Sequence, residues 1–88
     1  MNLQKYDIFL VNLNPTEGSE QQGIRPCLVV QNNEANKKLR TTVVCAFSST
    51  IKIFPNTLIV EPSQMNGLQK KSRLDFLQIR TVDHSRFV

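Results

Sequence analysis

The sequence has little of the equipment that metal and cofactor chemistry requires. It holds one histidine, His84, and two cysteines, Cys27 and Cys45. The cysteines form no C-x-x-C spacing and have no histidine cluster near them, which argues against a structural zinc site. Each sits instead in an apolar run of β-like composition, where a small buried hydrophobe is the expected role. No apolar stretch is long enough to cross a bilayer and no signal-peptide pattern opens the chain, so a cytoplasmic location is expected. Internal repeats, low-complexity tracts and a compositional break between domains are also missing. The 88 residues read as one small domain, residues 1–88, near the size at which a single core gives only modest stability. Partnering or dimerisation would help such a chain.

What is present is charge, unevenly placed. Residues 1–36 carry Lys5 and Arg25 against Asp7, Glu17, Glu20 and Glu34, a balance of −2, whereas residues 37–88 carry nine basic and three acidic side chains, a balance of +6. A basic half suits a polyanion or an acidic peptide as partner.

The pattern of apolar residues predicts strands. Residues 6–13, 26–31, 41–47, 57–61 and 72–82 are rich in β-branched and aromatic types and lie between polar or turn-forming flanks. The unbroken Cys27-Leu28-Val29-Val30 run suggests burial on both faces. In the last segment, Leu74, Phe76 and Gln78 are expected on one side and Asp75, Leu77 and Ile79 on the other. Between the second and third strands, Glu34 to Lys38 offers a short helical turn. Pro55-Asn56 reads as a turn, and 62–67 as a loop. Strands at short intervals with little helix indicate a mainly β fold, a small antiparallel barrel or curled sheet.

The most informative stretch is NPTEGSEQQGIRPCLVV, residues 14–30. Asn14-Pro15, Gly18 and Gly23 punctuate a surface loop, and Pro26 restrains Arg25 toward an extended shape as the chain enters the second strand. Ser19, Glu20, Gln21, Gln22 and Arg25 therefore lie within a few residues of one another. On residues alone this is a solvated hairpin connection carrying a Glu20–Arg25 surface pair.

The string DIFLVNLNPTEGSEQQGIRPCLVVQNN, taken with QIRTVDHSR at 78–86, resembles the MazF/PemK/Kid family of bacterial toxin endoribonucleases. In that family an acidic residue and a G-S-E-Q-x-G-x-R-P loop follow the first strand and a D/E-Q-I-R-T-x-D-x-x-R segment comes near the end, with Leu77 at its acidic position here. The resemblance implies an SH3-like barrel of the Kid/MazF/CcdB type, and the toxin of a type II toxin–antitoxin pair. It implies a metal-independent, cofactor-independent endoribonuclease that cuts single-stranded RNA at chosen sequences through a 2′,3′-cyclic phosphate. It also implies a homodimer and a cognate antitoxin whose acidic, disordered tail covers the loop at 18–25. Family members usually continue into a C-terminal amphipathic helix that packs on the barrel, a segment not found before Val88.

Cutting RNA without a metal needs a base for the 2′-hydroxyl proton, an acid for the leaving 5′-oxygen and a cation for the phosphoryl charge. Arg25 matches the family's catalytic arginine, and its fork geometry fits a phosphate. Glu20 is the loop carboxylate shared with the family motif, a general base or a partner that orients Arg25. Ser48 falls where relatives place a catalytic threonine; it keeps the hydroxyl and loses the stiffness of a branched side chain. Ser49 and Thr50 are the alternatives if the register slips. Ser19 and Gln78 are expected to contact phosphate or base edges, and Lys52, Phe54 and Arg80 to bind RNA. Arg80 has a second reading, as a tie between the strand end and Asp83. Positions that supply a loop histidine and a strand arginine–aspartate pair in some relatives are Ser19, Asp75 and Leu77 here, so that mechanism does not transfer. His84 is expected to be non-catalytic and Asp7 structural. The rival reading in another class is a gyrase poison of the CcdB branch; a third is a shortened, inactive relative that only binds antitoxin or RNA.

Overall fold

The computed structural model describes residues 2–88 and shows five strands in one antiparallel sheet. These are β1 (Ile8–Asn12), β2 (Ile24–Val29), β3 (Thr41–Ser48), β4 (Thr57–Val60) and β5 (Ser72–Asp83), in the spatial order β1-β2-β3-β5-β4. The first strand starts later than its composition suggests because Tyr6 adopts φ 75°, a left-handed conformation that an extended ladder does not accept. The second starts earlier, at Ile24, because Pro26 favours extension in the residue before it and is tolerated in a strand beside β1.

The sheet curls without closing its ladder into a continuous barrel. After β5 the chain makes a short 3-10 turn, His84–Arg86, and returns to the free side of β1. There Val11 bridges Phe87, the Val88 amide donates to the Leu10 carbonyl at 2.9 Å, and the Phe9 and Phe87 rings meet edge-on at 5.4 Å.

Alternation along β2 and β3 divides the apolar residues between two cores. Val11, Leu13, Cys27, Val29, Val44, Ala46 and Val82 pack inside the curl, against Leu3. Cys45, Phe47 and Leu74 face the other way and are covered by Leu68 from the β4–β5 connection, with Leu28 and Val30 half-buried beside them. The apolar run in β2 thus has cover on both faces.

The polar connection after β2 forms the helix α1 (Asn33–Lys38), capped by Asn32, whose side chain accepts from the Ala35 amide at 2.9 Å. Asn36 on this helix is buried; it accepts from Thr42 Oγ1 at 2.7 Å and from Gln31 Nε2 at 2.9 Å.

The regular alternation expected for the last strand does not hold. Between the pairs Cys45–Ile79 and Phe47–Leu74, the single residue Ala46 of β3 faces the four residues Asp75 to Gln78 of β5. The surplus bows out as a bulge. Asp75 Oδ1 accepts from the Leu77 amide at 3.0 Å, and the Phe76 amide donates to the Asn56 carbonyl at 2.9 Å. Leu74 is buried, whereas Phe76 and Leu77 are lifted into solvent. Among the described residues, no helix is long and apolar enough to cross a membrane.

Candidate active site

The loop between β1 and β2 is pinched at its base. The Leu13 amide donates to the Gly23 carbonyl at 2.9 Å and the Gly23 amide donates to Asn14 Oδ1 at 3.1 Å, with Gly23 at φ 82°, where a side chain would be strained. This fixes the point at which Arg25 leaves the loop and enters β2. Its Nε donates to the Gln22 carbonyl at 2.7 Å, and among the described residues the other N–H groups of the guanidinium have no hydrogen-bond partner. Ser48 is the last residue of β3. It is only 8% exposed, and its Oγ accepts from the Thr50 amide at 3.2 Å. An oxygen that accepts in this way leaves its own O–H to donate elsewhere.

Arg25 and Ser48 open on the same cleft, of about 540 Å³, together with Ser49, Lys70 and Ser72. Leu10, Ile24, Pro26, Phe47 and Leu68 form apolar wall, and no Asp, Glu or His lines it. Two cations, serine hydroxyls and an apolar wall suit a phosphate group with a base beside it.

Glu20 lies elsewhere. Its Oε1 accepts from the Glu17 amide at 2.7 Å in a tight turn, and it lines a second cavity of about 310 Å³ with Gln21, Gln78 and Arg80. No ion pair joins Glu20 to Arg25 among the described residues, so the surface pair suggested by their closeness in sequence is not formed. Gln21 holds both atoms of its carboxamide out of solvent with no partner. Its place in the motif, as the glutamine after Glu20, was the sequence signal for it.

Arg80 does not tie β5 to Asp83. Its Nη1 donates to the Leu13 carbonyl at 2.9 Å, pinning the bulged strand to the foot of the loop. Asp83 instead accepts from the Ser85 amide at 2.8 Å, and bonds from Ser85 hold its carboxyl below the usual carboxylate value. Ser19 is exposed on the loop and lines neither cavity. Lys52 and Phe54 stand on the β3–β4 connection, with the Lys52 ammonium 5.3 Å from the Phe54 ring centroid. His84 faces another depression, lined by Leu3, Asn36 and Leu39. Asp7 accepts from the Gln4 amide at 3.2 Å.

Burial pushes the Cys27 thiol up to about 12 and the Cys45 thiol to about 11. Both stay protonated near neutral pH, which removes them as nucleophiles. Among the described residues, no cluster of three or more His, Cys, Asp or Glu is placed to hold a metal ion.

A small curled β-sheet protein with an arginine–hydroxyl cleft defines a class suited to gripping a phosphodiester. The family follows from the chain itself. Residues 4–88 match the family described as "PemK-like, MazF-like toxin of type II toxin-antitoxin system", and the chain belongs to it. It is 37% identical over 86 residues to an endoribonuclease MazF of Staphylococcus saprophyticus, an alignment covering 96% of this chain and 71% of that protein. A crystal structure of MazF from Deinococcus radiodurans superposes with a TM-score of 0.82 at 24% identity, covering 98% of this chain and 76% of that one. An endoribonuclease solved in complex with its cognate antitoxin from a mycobacterial species gives a TM-score of 0.75 at 18% identity, covering 97% and 72%. At these identities the two structures show the shared fold. The gyrase-binding alternative finds no support among these relatives.

Proposed function

We propose that this MazF-like toxin is an endoribonuclease that cuts single-stranded RNA at chosen sequences, without a metal, and that Arg25 and Ser48 hold the scissile phosphate. The observation that carries the reading is the shared cleft: residues far apart in sequence converge on one cationic, hydroxyl-lined space. The 2′-oxygen gives its proton to water and attacks phosphorus, the bond to the 5′-oxygen breaks as that oxygen takes a proton from water, and a 2′,3′-cyclic phosphate and a free 5′-hydroxyl remain. Arg25 offsets the charge that grows on the phosphoryl oxygens, and Ser48 donates its O–H to one of them. Glu20, Gln78 and Arg80 line the second cavity and meet base edges and backbone of the RNA there. Ser19, Lys52 and Phe54 extend the contact along the strand.

The protein works in the cytoplasm as a homodimer. Leu10 at 49% and Ile24 at 58%, exposed on the apolar wall of the cleft, favour a second copy, which completes the cleft, over solvent. Its antitoxin carries an acidic segment that meets the basic half of the chain.

The test is incubation of the purified protein with a long, mixed-sequence single-stranded RNA in excess EDTA, followed by mapping of the cut sites and their ends. Discrete cuts with cyclic phosphate ends are expected. A folded protein that makes no cuts would contradict the reading and favour a relative that only binds.

A further inference from the structure

The β3–β4 connection carries an aromatic side chain that is exposed and yet held firmly. Phe54 is 44% exposed. Its backbone is fixed on both sides, since Thr57 Oγ1 donates to the Phe54 carbonyl at 2.6 Å and accepts from the Phe54 amide at 3.3 Å. Two further ties come from β5. Arg73 Nη1 donates to the Lys52 carbonyl at 3.2 Å, and the Phe76 amide, at the edge of the bulge, donates to the Asn56 carbonyl at 2.9 Å. The Arg73 guanidinium carbon lies 5.1 Å from the centroid of the Phe54 ring. One side chain thus anchors the loop and positions the ring on it.

Arg73 also ties the loop to the strand that ends at Ser48. It is directly opposite Ser48 in the β3–β5 ladder, and opposed side chains in an antiparallel pair leave the sheet on the same face, about 5 Å apart at Cβ. The ring is therefore joined through Arg73 to the end of β3 that carries Ser48, outside the lining of the cleft itself. Its second cation is of another kind. Lys52 is an exposed ammonium on a flexible stem, whereas the Arg73 fork is committed to a backbone carbonyl. Lys52 can swing to a phosphate and leave its place on the ring to a flat ligand.

We propose that Phe54, positioned by Arg73, is a stacking platform for one nucleobase of the bound RNA close to the scissile phosphate, and that Lys52 moves from the ring to the adjoining phosphate when the base arrives. The inference rests on the ribonuclease reading above and adds a specificity-determining pair to it, with Arg73 as a positioning residue. A fixed, exposed ring flanked by cations matches what single-stranded nucleic acid offers, a flat base between two phosphates. Because the ring is already held, little conformational freedom is lost when the base binds.

The experiment uses RNA spanning a cut site mapped as above, with a 2′-deoxy nucleotide at the cut so that it binds without reacting. A series of such strands carries one abasic nucleotide at each flanking position in turn. With the wild-type protein, one position near the cut should weaken binding about tenfold when its base is removed, the scale of a single base–aromatic stack. In Phe54→Ala that penalty should vanish while those at other positions persist, and Phe54→Tyr should keep it. Arg73→Lys preserves charge and loses the planar fork; it should lower the same penalty without changing the dependence of binding on salt. A thermal melt of each variant checks that it is folded. An abasic profile that is the same in Phe54→Ala and wild type would overturn the platform and leave the ribonuclease reading standing. A profile unchanged in Arg73→Lys would overturn the role of Arg73. A wild-type protein that neither cuts nor binds RNA would overturn the ribonuclease reading and the platform with it.

Discussion

The two cavities divide the candidate residues by chemistry. One holds Arg25, Lys70 and the serines on an apolar wall; the other holds Glu20, Gln21, Gln78 and Arg80. Arg25 and Glu20 are neighbours in sequence and separate in space, while Arg25 and Ser48 are distant in sequence and share a cleft. On the proposed reading, phosphate gripping and base-edge reading have different homes. The loop does the separating, because the pinch at Asn14 and Gly23 and the tight turn at Glu17–Glu20 aim the carboxylate away from the arginine.

The difference can be broken from either side. The largest effect is expected at Arg25, where Arg25→Ala should lower single-turnover cleavage by about 10³-fold, the scale of losing a preorganised donor to transition-state charge. The variant should melt like wild type, since it removes no core contact. Glu20→Gln should raise KM with kcat nearly intact, as the loss of an RNA contact confined to its own cavity does. A fall in kcat of about a hundredfold would instead make Glu20 the general base and join the two cavities in one site. Ser48→Ala should cost about tenfold, one hydrogen bond to a charged oxygen, whereas Ser48→Thr should preserve or raise the rate. Equal rates for serine, threonine and alanine would move the hydroxyl role to Ser49 or Ser72.

The smallest effect concerns stability and touches neither cavity. Cys27 and Cys45 are raised from 9.0 to about 12 and about 11, so folding favours their neutral forms. Their contribution is fully present below pH 9.0 and is lost as pH rises through the folded values. Replacing both with alanine or valine should flatten the fall in melting temperature above pH 9.0.

Much of the fold was legible in the sequence. Five β-rich runs gave five strands, and the helical turn expected over Glu34 to Lys38 is the helix α1. What could not be read is long-range. The alternation of residues 72–82 looked regular, and only its pairing with β3 shows that Asp75 to Gln78 have a single residue opposite them. The destination of Arg80 at the Leu13 carbonyl depends on the curl of the sheet, and nearby Asp83 was the plausible decoy. Of the candidate site, the motif supplied Arg25, and the family's threonine position at the end of the third strand supplied Ser48, each as an individual. Their meeting in one cleft follows from the antiparallel register of β2 against β3, and the separate position of Glu20 from hydrogen bonds within the loop, neither of which residue spacing encodes.

The central claim is that Arg25 and Ser48 act on one phosphate. A double-mutant cycle on binding of the 2′-deoxy RNA, with Arg25→Ala, Ser48→Ala and the double variant, measures that coupling directly. The account predicts non-additive losses, with an interaction of about 0.5 kcal/mol or more, as for residues that share a partner. Losses that add to within about 0.3 kcal/mol would mean that the two side chains bind the RNA independently, and would contradict the shared site.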